Sequence, residues 1–211
     1  MIDSTHGSVP NVPLSTTKVA GYVTGSPDIQ WTTADWARFP KASKVRIDQA
    51  PGGHAFATGG AEVLDVENGA ATIANAVAGV LERQKKNEYS TIYISQSNLT
   101  ALQDALRAAK AVMNRVGFWV ANWSLSETEA AAALGNELVA IQYASPTSNP
   151  LTIIPGGTMT LRQANVDLSV TLSSWYPPPA PPPAWQKTAL NLASEGQVVM
   201  NELVNILRAH Q

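Results

Sequence analysis

Cysteine is absent from the 211-residue chain, which excludes a disulfide scaffold, a thiolate zinc site and a catalytic thiol at once. Charge is scarce as well: Asp, Glu, Lys and Arg make up 14% of the residues, and the formal net charge is −2. There is no run of Lys or Arg, so the electrostatic footprint that phosphate backbones demand is missing and nucleic acid is not an expected partner. Nothing approaches the ~18 consecutive apolar residues of a membrane span, and no membrane span is expected. The N-terminus, MIDSTHGSV, has neither a basic n-region nor an apolar h-region, so no secretory signal is expected. His6, His54 and His210 show no ligand spacing, and no Mg2+ or Ca2+ loop is recognisable. Neither a metal nor another cofactor is expected.

What the chain does have is apolar residues, 45% of the total, enough for one sizeable core with a small appendage. Short apolar runs at 1–3, 19–24, 44–49, 62–67, 91–95, 117–122, 138–143 and 166–170 read as eight strands. Runs such as TIYIS, GFWVAN and LVAIQ are continuous instead of alternating, which predicts strands covered on both faces, hence a parallel sheet wrapped by helices. Helical spacing over 71–86 rests on Ile73, Val77, Val80 and Leu81, and over 99–113 on Leu102, Leu106 and Met113, with Ser97 or Asn98 as N-cap. Ser126 opens a third helix that Gly135 ends, and Thr32 or Thr33 opens a short one stopped by Pro40. The fold class that follows is α/β: an irregular TIM-like (β/α) barrel of eight short strands over 1–174, with the 143–165 stretch reduced to a loop.

At WYPPPAPPPAW the composition changes, with six prolines in seven positions. Residues 175–184 are read as a stiff proline-rich linker. Beyond it, Trp185, Ala189, Leu192, Gly196, Val199, Leu203 and Ile206 form a heptad-like seam. That spacing predicts a C-terminal amphipathic helix over 185–211, which either packs on its own domain or docks on a partner or a second copy through Trp185 to Ile206.

Polar residues collect at the strand ends: Asp3, Asp48, Asp65 with Glu67, Asn122 and Gln142 each close an apolar run. Asp167 differs, because it opens its strand, VDLSV. In a parallel barrel all strand C-termini emerge on one rim, so these groups converge. Within 63–67, Leu64 and Val66 share one face while Val63, Asp65 and Glu67 share the other. Two carboxylates this close in a half-buried site repel, and one is expected to hold its proton near neutral pH. An acid beside a carboxylate is what glycosidic cleavage requires; a solvated strand end, or an ion pair, is the plain alternative for an isolated D-x-E.

MIDSTHG, VLDVENG, TIYISQSNL, FWVANW, AIQYAS and NVDLSV occur in an order that resembles glycoside hydrolase family 25 lysozymes, over roughly residues 1–172. These are muramidases, common in phage endolysins and actinobacterial wall enzymes. The resemblance implies a peptidoglycan-directed glycosidase with Glu67 as general acid, Asp65 orienting substrate or stabilising charge, and Asp3 and Asp167 as the two further acids. It also implies a place at the bacterial cell wall, carried by a phage virion or released from the cytoplasm at lysis. Two features depart from the pattern: SVPNVPLSTT intervenes after the first strand, and Asn122 stands where an acid or another polar residue is frequent. Asp48, Asn122 and Gln142 are candidate substrate-binding groups, the role of Asp48 being open, with Tyr93 and Trp123 as aromatic walls. Strand positions i and i+2 lie ~7 Å apart, between the retaining and inverting separations, so the stereochemical outcome stays open. The competing expectation is a non-catalytic or bifunctional glycan-binding or structural component of a virion or similar assembly, which the proline spacer and terminal seam fit.

Overall fold

The computed structural model describes residues 1–49, 61–135 and 137–175. The linker after Trp175 and the expected terminal helix lie outside the described residues, as does the 51–60 stretch. Eight strands are present: β1 (Ile2–Ser4), β2 (Lys18–Tyr22), β3 (Ser43–Asp48), β4 (Val63–Val66), β5 (Ser90–Ser95), β6 (Val116–Ala121), β7 (Leu138–Ala144) and β8 (Asp167–Thr171). They close into one barrel in sequence order.

The sheet is mixed, which corrects the expectation of a wholly parallel one. β1 to β7 run parallel, whereas β8 pairs antiparallel with both β7 and β1. The cause lies in the connection after β7. A parallel return needs a crossover, usually a helix, to carry the chain back along the barrel. Here the Pro-, Ser- and Thr-rich connection forms only one four-residue helix, α5 (Leu161–Ala164). Asn165 then turns the chain at φ 54°, a left-handed conformation that Asn tolerates better than most residues. The chain therefore enters β8 from the same end at which β7 leaves the barrel.

Residue alternation sorts the strands into two layers. Leu64, Val66, Ile92, Ile94, Phe118 and Val120 face outward into one apolar cluster with Leu99, Leu102 and Leu106. Val45, Ile47, Val63, Tyr93, Trp119 and Ala140 fill the interior. The outer cover comes from α1 (Thr33–Ala37), α2 (Ile73–Lys85), α3 (Gln96–Ala108) and α4 (Glu127–Ala133). Thr32, Thr72, Ser126 and Thr160 each cap their helix in a reciprocal box with the residue three positions on, satisfying two otherwise orphaned amide groups. α3 starts earlier than Ser97 or Asn98 would have it: Ser95 is the N-cap and makes no side-chain cap bond. The chain passes straight from β5 into α3, with no loop for a cap to stand in.

After β1 the two prolines of SVPNVPLSTT give a 3-10 turn, His6–Asn11, instead of a full helix. Val9 and Val12 are nevertheless buried against Phe39, Ile154 and Leu161. Trp175, at the expected start of the linker, is packed into the barrel floor: its ring meets Trp119 at 6.0 Å and its indole donates to Thr91 Oγ1 at 3.2 Å. Lys18 lies 5.4 Å from the same ring. Among the described residues, no helix is long and apolar enough to cross a membrane.

Candidate active site

At the rim where β1 to β7 end, a cavity of about 410 Å3 opens to solvent. Asp3, Glu67 and Asp167 line it, together with Tyr22, Tyr93, Trp119, Trp123 and Gln142. The antiparallel direction of β8 explains why Asp167 belongs there although it begins its strand. It sits directly opposite Asp3 in the β1–β8 register. The end of β1 is held by Trp31, whose indole donates to the Ser4 carbonyl at 2.7 Å.

Asp65 lies one pleat deeper than Glu67 and is 2% exposed, whereas Glu67 is exposed at the mouth. Burial first, and then the charge of Glu67, push the Asp65 carboxyl up to about 7. Its Oδ2 faces the Tyr22 hydroxyl at 3.4 Å, and Oδ1 has no hydrogen-bond partner among the described residues. A protonated carboxyl suits such surroundings, because a buried ion without donors would be far costlier. Glu67 is also raised, chiefly by burial of its inner side, with Tyr93 opposing the shift. The Tyr93 hydroxyl has one proton, however, and points it at Gln142 Oε1, 2.7 Å away. Glu67 receives it only when that hydroxyl rotates.

The second acid pair behaves alike. Like charges directly across a strand pair destabilise, and Asp3 is raised well above its ordinary value by burial and then by Asp167. Asp167 is pushed up to about 7 by burial and by Glu67. Gln142 ties the walls together: its Oε1 accepts from Tyr93 and, at 3.2 Å, from Trp123 Nε1, while its Nε2 faces Asp3 Oδ2 at 3.4 Å. Trp119 stands edge-on to Tyr93 with ring centroids 5.0 Å apart and donates to Ser169 Oγ at 3.1 Å. Trp123 is 45% exposed and offers a ring face at the mouth.

Two candidate residues are placed away from the cavity. Asp48 pairs in register with Leu64, on the outer side of the strands, where it accepts from Thr24 Oγ1. It bears on the site through its charge, which helps keep the proton on Asp65. Asn122 spends its carboxamide oxygen on Ser124 N and Oγ, closing the turn after β6. Trp31 and Trp36 meet at a tilt, with ring centroids 4.5 Å apart, beside the core and do not line the cavity.

Sequence reasoning missed Trp119, although its alternation with Phe118 and Val120 already assigns it to the interior. It also missed the wall formed by Ser145, Pro146, Thr147, Ser148 and Asn165, for which loop residues carry no periodic signal. That loop flanks the cavity without covering Glu67. No Lys, Arg or His lines the cavity among the described residues. Nor do three His, Asp or Glu side chains gather there as a metal-binding group; the acids stand around the wall instead of converging on a point. No protein-family model, curated protein or solved structure matches this chain.

Proposed function

We propose that the protein is a muramidase-type glycoside hydrolase that cleaves the β-1,4 bond between N-acetylmuramic acid and N-acetylglucosamine in bacterial peptidoglycan. This reading takes the mixed barrel as an irregular TIM-like (β/α) barrel of the family 25 kind. The observation that supports it is the meeting of Asp3, Glu67 and Asp167 on one aromatic-walled cavity, with Asp65 one pleat below Glu67.

Glu67 is the member of the D-x-E pair that a sugar in the cavity can touch, and it is the general acid. In the open site burial favours the proton on Asp65. A sugar ring that covers Glu67 strips its water and raises its proton affinity in turn. The glycosidic C–O bond breaks as Glu67 protonates the leaving oxygen, and the carboxylates left on Asp65 and Asp3 or Asp167 stabilise positive charge at the anomeric carbon. A water finally adds to that carbon and returns a proton to Glu67. Trp123 and Tyr22 supply faces for the apolar sides of the sugar rings. Gln142 holds Trp123 and Tyr93 in fixed relation to Asp3.

The test is clearing of a bacterial cell-wall suspension. Glu67→Gln keeps the shape and removes the acid, and its lytic rate is expected to drop by at least about 100-fold, the lower end for general acid catalysis. Undiminished lysis by this variant sinks the assignment. The protein would work at the cell wall, brought there by a phage particle or released at lysis. A second reading, a glycan-binding or structural part of a virion, draws on the WYPPPAPPPAW spacer and the seam that follows. Size measurement with and without residues 177–211 probes it, since an unchanged monomer in both removes its support.

A further inference from the structure

Gln142, on β7, is 3% exposed, and both of its polar side-chain atoms are engaged by other groups of the cavity wall. Its Oε1 accepts from the Tyr93 hydroxyl at 2.7 Å and from the Trp123 indole at 3.2 Å, and its Nε2 faces Asp3 Oδ2 at 3.4 Å. An indole N–H only donates, so Trp123 fixes which way the amide is turned. The oxygen that faces Trp123 also faces Tyr93, and a carboxamide oxygen has no proton to give. The phenol must therefore be the donor, and its single proton points at Gln142.

Tyr93 has a second acceptor within reach. It lies on β5 in register with Asp65 of β4, and its hydroxyl also bears on Glu67, where donation favours the carboxylate over the acid. One proton cannot serve both oxygens. What Gln142 draws off Glu67 loses, and a carboxylate that loses a donor holds its own proton more firmly. The other titratable groups around Glu67 are Asp65 on the same strand, Tyr22 on β2, and Asp3 and Asp167 across the cavity on β1 and β8. Ile47 of β3 and Trp119 of β6 bring none. Among these groups Tyr93 alone has its proton divided between Glu67 and a neutral acceptor, so the direction of that hydroxyl sets how readily Glu67 ionises.

We propose that Gln142 is a positioning residue: it holds the Tyr93 hydroxyl turned away from Glu67 and so preserves on Glu67 the proton that bond cleavage consumes. The inference rests on the reading of Glu67 as the acid of a glycosidase and adds what governs that acid. Gln142 touches no reacting atom in this role; it acts through Tyr93. An apolar side chain of similar size would fill the wall as well, and only the amide offers an oxygen to the phenol.

Carbon NMR of the full chain carrying isotope-labelled glutamate tests it, by following the Glu67 carboxyl as pH is varied. The Glu67 signal is identified by its loss in Glu67→Gln. Its titration midpoint is expected to fall by about one pH unit in Gln142→Met, which keeps the bulk and removes the acceptor. Gln142→Asn, which draws the amide back along the side chain, is expected to move the midpoint the same way. Both variants are checked for folding by circular dichroism. With Tyr93→Phe already in place, neither substitution is expected to lower the midpoint, because no hydroxyl is left to turn. A Gln142 that only packs the wall would show no such dependence. A midpoint that holds or rises in the folded single variants overturns the proposal, and so does a fall of equal size in the Tyr93→Phe background. The titration needs no substrate and is independent of lysis. A Tyr93-dependent fall in a chain that clears no cell walls leaves the control of the Glu67 proton standing and the muramidase reading fallen. Lysis whose alkaline limb is unmoved by Gln142→Met has the reverse meaning.

Discussion

Glu67 and Asp65 differ by two positions in sequence and by a large step in environment, and that difference is where their chemistry separates. Asp65 is raised from 3.8 to about 7, so the folded chain holds a proton that the unfolded chain gives up. This carboxyl therefore costs no stability below about pH 4, and its cost grows as pH rises through about 7. Asp65→Asn, neutral at every pH, is expected to gain on the order of 1–3 kcal/mol at about pH 8 and nothing near pH 4. Thermal melts at both pH values check this, and an unchanged or lower melting temperature at the higher pH contradicts the buried-acid account. Tyr93 opposes the upward shift of Glu67, so Tyr93→Phe leaves Glu67 protonated to higher pH. If Glu67 is the general acid, the alkaline limb of lytic activity moves upward in this variant. A limb that stays in place or moves down separates Glu67 from the acid role.

Among the elements, β2 and β8 set the site's geometry in opposite ways. Gly21 on β2 lies directly under the Trp31 ring, and a Cβ there would fall within the ring's van der Waals shell. Trp31 is itself buried, and it holds the β1 end through the Ser4 carbonyl. Gly21→Ala is therefore expected to destabilise by about 1–3 kcal/mol through overpacking, read as a lower midpoint in urea. A midpoint equal to that of the unaltered protein would show that the ring can slide aside. β8 works through direction. Its antiparallel run delivers Asp167 to the rim from the start of the strand, where a parallel strand would have left it at the floor. The sequence marked Asp167 as an exception to the strand-end rule, and the reversed strand removes the exception.

At the scale of the whole molecule, the barrel is open above and plugged below by Trp175, which is 6% exposed among Trp119, Val45 and Ala140. Trp175→Ala is expected to lose about 3–5 kcal/mol, the usual cost of a large aromatic removed from a core. A melting temperature unchanged in that variant would mean that the ring does not close the floor. The eight strands, their order of occurrence and the two-sided burial of β4 to β7 were legible in the chain, because continuous apolar runs and period-two alternation are local signals. Leu64 and Val66 under the helices, with Asp65 and Glu67 on the opposite face, followed from that alternation alone. The sense of β8 was not legible, since strand direction depends on where a long, aperiodic connection deposits the chain. For the same reason the Ser145–Ser148 wall and the retreat of Asp48 to the outer side of the barrel are properties of the folded chain alone. Which residues are acids, and which faces they share with apolar neighbours, is written in spacing along one strand. That Asp3 stands opposite Asp167, and that Gln142 reaches Asp3, Tyr93 and Trp123 together, is settled in the folded chain and not before. Those distances close across strands far apart in the chain, and barrel closure is what brings them within reach.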